Sequence, residues 1–223
     1  MIVVHHLNNS RSQRILWLLE ELGVPYEIKR YQRDPASMLA PPELRRVHPL
    51  GKSPVITDDD VTVAESGAII EYLADRYAAG VLIPVHGSPA RRRCNYWLHY
   101  AEGSAMPPLL LKLVFQRLET APAPFFVRPI ARNIAGKVQQ SFVDPQLKLH
   151  LDYLEAALAT SAWFGGERFS VADIQLSFPL EAFAAGGDLN AEYPQLSAFL
   201  KRIHARAPYQ RALDRGGAYQ LGH

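Results

Sequence analysis

The sequence has little of what marks secreted, membrane or nucleic-acid-binding proteins. It contains one cysteine, Cys94, which excludes an internal disulfide framework and fits a reducing compartment. No apolar run approaches the roughly 18 residues that a membrane span requires. The formal net charge of +2 is too small to indicate nucleic acid as a partner. We therefore expect a cytoplasmic protein that binds neither membranes nor nucleic acid.

The composition is that of an ordinary globular protein. Hydrophobic residues make up 48% and charged residues 21% of the 223 residues, enough for one large or two modest domains. The opening MIVVHHLNNS lacks a basic region followed by a long apolar stretch, so we expect no secretory signal.

The first third of the chain alternates strand and helix patterns. Residues 2–7 form an apolar, β-branched run that predicts a buried strand. Apolar residues at helical spacing predict a helix over residues 10–22, which Gly23 ends. The remaining predictions are strands over residues 26–31, 54–57 and 61–63, a short helix over 41–47 and a helix over 66–77.

The rest of the chain shows helical periodicity without a convincing strand. A break rich in glycine and proline occupies residues 79–89. Helices are predicted over residues 91–118, 127–158, 171–185 and 194–205, with a short one near Tyr209. Pro107 and Pro108 should bend or break the first of these. The composition change predicts an α/β domain over residues 1–79 and an all-helical domain over residues 88–223.

Several polar clusters have a structural interpretation. Asp58 to Asp60 separate two apolar runs, so we interpret them as a hairpin turn and predict no metal site. His5 and His6 are adjacent in a strand and should face opposite sides of the sheet. Ser170 and Asp173 have the spacing of a helix capping box.

Four short motifs follow one another along the chain. They are HLNNSRSQR from His6, HPLGKSPV from His48, ESGAII from Glu65 and FSVAD from Phe169. With these motifs in this order, the chain resembles the cytosolic glutathione transferases, in particular serine-type members of bacterial and fungal kind. The resemblance implies a thioredoxin-like N-terminal domain, an all-helical C-terminal domain and glutathione as co-substrate, without a metal.

The resemblance assigns glutathione binding to two of these motifs. The proline matching Pro54 is cis in thioredoxin-like folds, and Ser53 would then offer its backbone N–H and C=O to the cysteinyl part of glutathione. Ser66 would hold the γ-glutamyl carboxylate at a helix N-terminus, and Glu65 the ammonium group. From the residues alone, Pro54 is an ordinary turn proline and Ser66 a helix cap. The implied set is Lys52, Ser53, Pro54, Val55, Glu65 and Ser66.

The same resemblance points to Ser10 as the group that activates the thiol. Serine-type members place the catalytic residue four positions before an arginine, here Arg14. Ser12 is the competing candidate, and Arg11 would add positive charge nearby. A hydroxyl that donates a hydrogen bond to sulfur favours the thiolate, which is the nucleophile. On the residues alone, both serines are helix-capping candidates.

The function implied is conjugation of glutathione to small hydrophobic electrophiles. The alternatives are a glutathione-dependent peroxidase, isomerase or dehalogenase, or a non-catalytic protein that binds glutathione or hydrophobic ligands. Since Cys94 lies far from position 10, the chain departs from cysteine-type, glutaredoxin-like members. The resemblance also implies a homodimer, with the cluster Arg91 to Arg93 as one plausible contact. Candidates for the second-substrate pocket are Leu7, Trp97, Tyr100 and Met106.

Overall fold

The N-terminal part of the chain forms a small sheet flanked by helices. The computed structural model describes residues 1–77, 80–189, 191–217 and 219–221. Its first elements are β1 (Ile2–Leu7), α1 (Ser12–Leu22), β2 (Tyr26–Tyr31), a 3₁₀ helix (Pro42–Arg46), β3 (Val55–Asp58), β4 (Val61–Ala64) and α2 (Ser66–Tyr77). The predicted order of elements is confirmed. The predicted start of α1 is wrong by two residues, because residues 8–11 form a turn.

The four strands make one mixed sheet in the order β2-β1-β3-β4. β1 runs parallel to β2 and antiparallel to β3, which pairs with β4 in a hairpin. Asp59 occupies the turn of that hairpin with a φ of 54°, a conformation that Asp tolerates. The predicted turn is confirmed for Asp59 and Asp60 and is wrong for Asp58, which is the buried last residue of β3.

The second part of the chain is helical. Its helices are α3 (Pro89–Tyr100), α4 (Met106–Thr120), α5 (Arg128–Val138), α6 (Asp144–Ala159), α7 (Val171–Ala185), α8 (Pro194–His204) and α9 (Ala207–Gly216). None of the helices in the described ranges is long and apolar enough to cross a membrane. The predicted N-terminal domain ends at residues 78 and 79, which lie outside the described residues, so its boundary stays a prediction.

Two long predicted helices each contain a π-helical turn. Ala101–Ala105 separates α3 from α4, and Gln139–Val143 separates α5 from α6. Pro107 and Pro108 follow the first of these turns. Proline has no backbone N–H to donate, so the change of hydrogen-bond register just before them accommodates both prolines without ending the helix.

Helix α1 is buried between the sheet and the C-terminal helices. Its residues from Ser12 to Leu19 are all buried. Trp17 packs edge-on against Tyr209 of α9, with ring centroids 5.1 Å apart, and lies 5.6 Å from Phe169. The N-terminal end of α1, with the Ser10 turn before it, is therefore held at the junction of the sheet and the helical part.

The predicted capping box at the start of α7 is present. The Asp173 carboxylate accepts hydrogen bonds from the backbone N–H groups of Phe164 and Ser170, at 2.9 and 2.8 Å. Asp173 is fully buried, and these bonds tie the preceding loop to the helix. Its role is structural.

Candidate functional site

Two adjoining cavities lie where the sheet faces the π-helical turn and α4. The polar cavity, about 260 Å³, is lined mainly by residues before β3 and at the start of α2. The apolar cavity, about 590 Å³, is lined mainly by α4 and α7. Both cavities include Arg11, Lys52 and Glu102 in their walls. The remaining walls of the polar cavity are His48, Leu50, Ser53, Pro54, Ala64, Glu65 and Ser66.

One wall of the polar cavity is built by the segment that enters β3. The Ser53–Pro54 peptide bond is cis, the form that the resemblance implies. The Ser53 hydroxyl donates a hydrogen bond to the His5 backbone carbonyl at 2.9 Å, which fixes this segment on β1. Lys52 lines the cavity, whereas Val55 is buried in β3 and does not.

The opposite wall is the start of α2. Glu65 precedes the helix with a φ of 71°, and Ser66 is its first residue. Backbone N–H groups are free at such a start, and the helix dipole favours an anion there. The Ser66 hydroxyl accepts a hydrogen bond from the Arg14 guanidinium at 3.2 Å. The predicted carboxylate site thus has the Arg14 guanidinium behind it, in addition to the positive end of the helix dipole.

The turn before α1 carries both candidate serines. Ser10 is 5% exposed and Ser12 is fully buried, and their hydroxyl oxygens are 2.7 Å apart. Neither is among the described residues that line the two cavities. Ser10 Oγ is 3.4 Å from Ser53 Oγ, in the wall of the polar cavity, so Ser10 is the better placed of the two.

Glu102 is a site residue that sequence reasoning missed. It lies on the π-helical turn, where its two carboxylate oxygens share the Arg11 Nε–H, each at 3.0 Å, and one oxygen also accepts a hydrogen bond from Arg14. Burial alone would raise the pKa of Glu102, but the guanidiniums of Arg14 and Arg11 outweigh it and lower that pKa. A single glutamate within a helical pattern carries no signal of this role.

Arg14 joins the two parts of the chain. Its side chain is 1% exposed, and it donates to the Gln175 backbone carbonyl as well as to Ser66 and Glu102. Burial lowers the pKa of Arg14, and the Glu102 carboxylate opposes that shift. The arginine that marked the position of Ser10 in the sequence therefore binds both the sheet part and the helical part of the chain.

Only one of four predicted second-substrate residues lines the apolar cavity. Met106 does, but Leu7 is buried with Tyr31 and Leu44 in a separate cluster. Trp97 and Tyr100 pack in the core, where the Tyr100 hydroxyl contacts His150. Aromatic residues at helical spacing pack in cores more often than they line sites. The lining that prediction missed includes Leu109, Leu110, Leu113 and Phe178.

The lone cysteine and the histidine pair lie outside the two cavities. Cys94 is buried, and burial raises the pKa of its thiol to about 11. His5 contacts the Tyr31 hydroxyl, whereas His6 contacts Ser12. Within the described residues, no group of three or more His, Cys, Asp or Glu side chains has the geometry to hold a metal ion.

Comparison with known proteins accounts for this arrangement. The family described as "Glutathione S-transferase, N-terminal domain" matches residues 1–75, and the corresponding C-terminal domain family matches residues 120–207. This chain belongs to the glutathione S-transferase family. The predicted fold, a thioredoxin-like domain followed by a helical domain, is confirmed, and by homology the chain is an enzyme of glutathione S-transferase type.

Curated relatives and solved structures support the same assignment. Glutathione S-transferase 3 of Schizosaccharomyces pombe is 40% identical over 194 residues, covering 87% of this chain and 78% of the relative. Glutathione S-transferase 1 of Saccharomyces cerevisiae is 33% identical and covers 98% and 96%. A glutathione S-transferase structure from Actinobacillus pleuropneumoniae is 32% identical, with a TM-score of 0.78 over 98% of this chain and 94% of that one.

A further structure was solved with glutathione bound. It is a sphingomonad glutathione S-transferase, 28% identical, with a TM-score of 0.74 over 96% of this chain and 98% of that one. Glutathione binding is thus seen in a homologue of the same fold.

Proposed function

We propose that this protein binds glutathione in the polar cavity and transfers its thiolate to a small hydrophobic electrophile in the apolar cavity. The observation that carries the proposal is that the two cavities meet at Arg11, Lys52 and Glu102. A polar ligand in one and an apolar ligand in the other would bring their reacting ends together. Such positioning is a large part of the catalysis of a two-substrate reaction.

The polar cavity offers groups of the right chemistry for a charged tripeptide. Ser66 at the start of α2 suits the γ-glutamyl carboxylate, and Glu65 suits the ammonium group. Ser53 would offer its backbone to the cysteinyl part. In this orientation the thiol would lie on the Ser53 side of the cavity, and Ser10 Oγ is 3.4 Å from Ser53 Oγ on that side.

Thiol activation is the chemical step that we assign to Ser10. A free thiol has a pKa near ~8.5, so only a few per cent is ionised at neutral pH. A hydrogen bond from the Ser10 hydroxyl would favour the thiolate. Arg11 adds positive charge, reduced by its pairing with Glu102. The sulfur then bonds to the electrophilic carbon, the leaving group departs with its electron pair, and the thiol proton passes to solvent.

We further propose that the protein is a cytoplasmic homodimer. Arg91 and Arg93 are engaged within the chain, with Asp75 and with the Phe164 carbonyl, which weakens the arginine cluster as a subunit contact. A better candidate is the exposed apolar surface along α4 and α5. It includes Leu111, Val114, Leu118, Ile130 and Ile134. Light scattering tests this proposal, and a monomer mass would contradict it.

The experiment for the main proposal is an assay panel on one preparation. Purified protein with glutathione is offered an aryl halide, an activated alkene, an organic peroxide and a cis-enone, and products are identified by mass spectrometry. The proposal predicts a glutathione conjugate. Glutathione disulfide as the only product would favour a peroxidase, and an isomerised enone would favour an isomerase. Halide release without a retained conjugate would favour a dehalogenase. Calorimetric binding of glutathione without turnover would favour a binding protein.

A further inference from the structure

A row of buried hydrogen bonds leads from the C-terminal helix to Ser10. The His6 ring lies against the backbone of Gly216, the last residue of α9. His6 Nδ1 is 2.8 Å from Ser12 Oγ, which is 2.7 Å from Ser10 Oγ. His6 and Ser10 are 5% exposed and Ser12 is fully buried. Water therefore does not interrupt the row, and each hydroxyl hydrogen has few possible directions.

The protonation state of His6 sets which group donates each hydrogen bond along this row. Burial, and then the charge of Arg30, lower the pKa of His6 to about 4, so the ring is neutral at physiological pH. A neutral imidazole has one donor and one acceptor nitrogen. The Gly216 backbone acts to raise the pKa of His6, which is the effect of a carbonyl acceptor facing the ring. Nε2 is then the donor, and Nδ1 accepts the Ser12 hydroxyl hydrogen.

The donor role of Ser12 towards His6 in turn decides which serine donates to the other. A serine hydroxyl has a single hydrogen, and that of Ser12 is used on His6. The 2.7 Å contact between the serines must therefore be donated by Ser10. The Leu7 carbonyl, 3.4 Å from Ser12 Oγ, is a weaker acceptor for the same Ser12 hydrogen and leaves the role of Ser10 unchanged.

Ser53 does not alter the direction. Its hydroxyl hydrogen is donated to the His5 carbonyl, so it has none to give to Ser10. Ser10 Oγ also accepts the Ser12 backbone N–H at 3.2 Å. The hydroxyl hydrogen of Ser10 therefore points to Ser12 and away from the polar cavity.

We propose that His6 and Ser12 are positioning residues that hold the Ser10 hydroxyl in a resting orientation, from which a glutathione thiolate must draw it. The proposal rests on the function proposed above. It makes Ser12 a competitor of the sulfur for the Ser10 hydrogen, rather than a second activating group. It also couples Gly216, at the end of the helical domain, to the reacting group through His6.

His6 is not the base that takes the thiol proton. With a pKa of about 4 for His6 and near ~8.5 for a free thiol, transfer along the row would be strongly unfavourable. The charge of Arg30 also lowers the pKa of His6, which makes protonation of the ring still less favourable. The thiol proton therefore leaves to solvent, and the row acts only through the orientation of Ser10.

The first test needs no ligand. Nitrogen-15 NMR of the full chain with labelled histidine, with the His6 signal assigned from a His6→Gln variant, reports which ring nitrogen carries hydrogen. The proposal predicts Nε2–H with an unprotonated Nδ1 between pH 6 and 8. An Nδ1–H tautomer, or a doubly protonated ring in this range, overturns the direction of the row whether or not glutathione binds.

The second test is the pKa of the bound glutathione thiol, followed by thiolate absorbance. Ser10→Ala should raise it, whereas Ser12→Ala should lower it below the wild-type value by roughly half a unit, about a threefold gain in thiolate. Ser177→Ala, which removes a buried hydroxyl bonded to the Ile174 carbonyl within α7, is the matched control and should leave it unchanged. Circular dichroism checks that each variant folds.

The outcomes separate the two proposals. A thiol pKa that is unchanged or raised in Ser12→Ala, in folded protein that binds glutathione, overturns the resting-orientation proposal and favours Ser12 as an activator or a cap. A failure of wild type and all variants to bind glutathione overturns the proposed function, while the histidine tautomer still decides the direction of the row.

Discussion

The two cavities differ in how they are built. The polar cavity is made from turns, a cis peptide bond and a helix start, all within the sheet part of the chain except Glu102. The apolar cavity is made from side chains on the faces of α4 and α7, which are distant in sequence. Its residues were largely missed by sequence reasoning, whereas six of the ten described residues that line the polar cavity were predicted; His48, Leu50, Ala64 and Glu102 were missed. Local backbone chemistry leaves a signature in sequence that helix faces do not.

The largest expected effect is at Arg14, which joins the sheet part of the chain to the helical part. Arg14→Met should cost about 3–5 kcal/mol in the free energy of unfolding, because it leaves Ser66, Glu102 and the Gln175 carbonyl without a buried partner. Arg11→Met, whose native side chain is 34% exposed, should cost about 1 kcal/mol or less. Urea denaturation measures both. Equal and small costs would mean that Arg14 does not join the two parts.

The polar cavity is tested by Ser66→Ala. Loss of a hydrogen bond to a charged ligand group is worth about 1.5–3 kcal/mol, so KM for glutathione should rise about tenfold or more. KM for the electrophile should stay as in wild type, because Ser66 lines the polar cavity alone. Steady-state kinetics with each substrate varied in turn gives both values. An unchanged KM for glutathione would remove Ser66 from the binding site.

Asp173 supplies a contrast remote from both cavities. Asp173→Ala should destabilise the fold by about 1 kcal/mol or more, with thiol chemistry unchanged in the folded protein. Burial raises the pKa of Asp173 to about 6, above the ordinary 3.8. A raised folded-state pKa adds stability below about pH 4 that is lost as the pH rises through 6. The cost of the variant should therefore be larger at pH 4 than at pH 7 in urea titrations.

A cost for Asp173→Ala that is the same at both pH values would show that the native carboxyl titrates normally. A melt identical to wild type would remove the capping box from the account of stability.

The apolar cavity is tested by a pair of variants. Met106→Ala should raise KM for a hydrophobic electrophile by several fold, since it removes about 1–2 kcal/mol of apolar contact. Tyr100→Phe keeps the ring and removes only the hydroxyl bonded to His150, so this KM should not change. If the two results are reversed, the second substrate binds near α3 and not in the apolar cavity.

The difference between prediction and structure follows from what each residue depends on. Ser53, Pro54, Glu65 and Ser66 belong to short motifs whose backbone form is set within a few residues. Glu102 gains its role only when a π-helical turn meets the start of α1, a contact across about ninety positions that no local pattern reports.

The aromatic candidates do not line the apolar cavity for a related reason. Trp97 and Tyr100 share a helix face with the spacing of a pocket wall, but that face packs on Phe164, Tyr153 and His150. Periodicity identifies an apolar face without saying what covers it. The orientation of Ser10 is also beyond the sequence, since it depends on which nitrogen of His6 carries hydrogen.

The central claim is that the polar cavity holds glutathione with its thiol beside Ser10. The most direct measurement is the thiolate absorbance of bound glutathione against pH, in wild type and in Ser10→Ala. The account predicts a bound thiol pKa well below its value in free glutathione, and a return towards that value in the variant. A thiol pKa that is the same in both proteins, with glutathione bound, would contradict it and reduce Ser10 to a residue of the turn before α1.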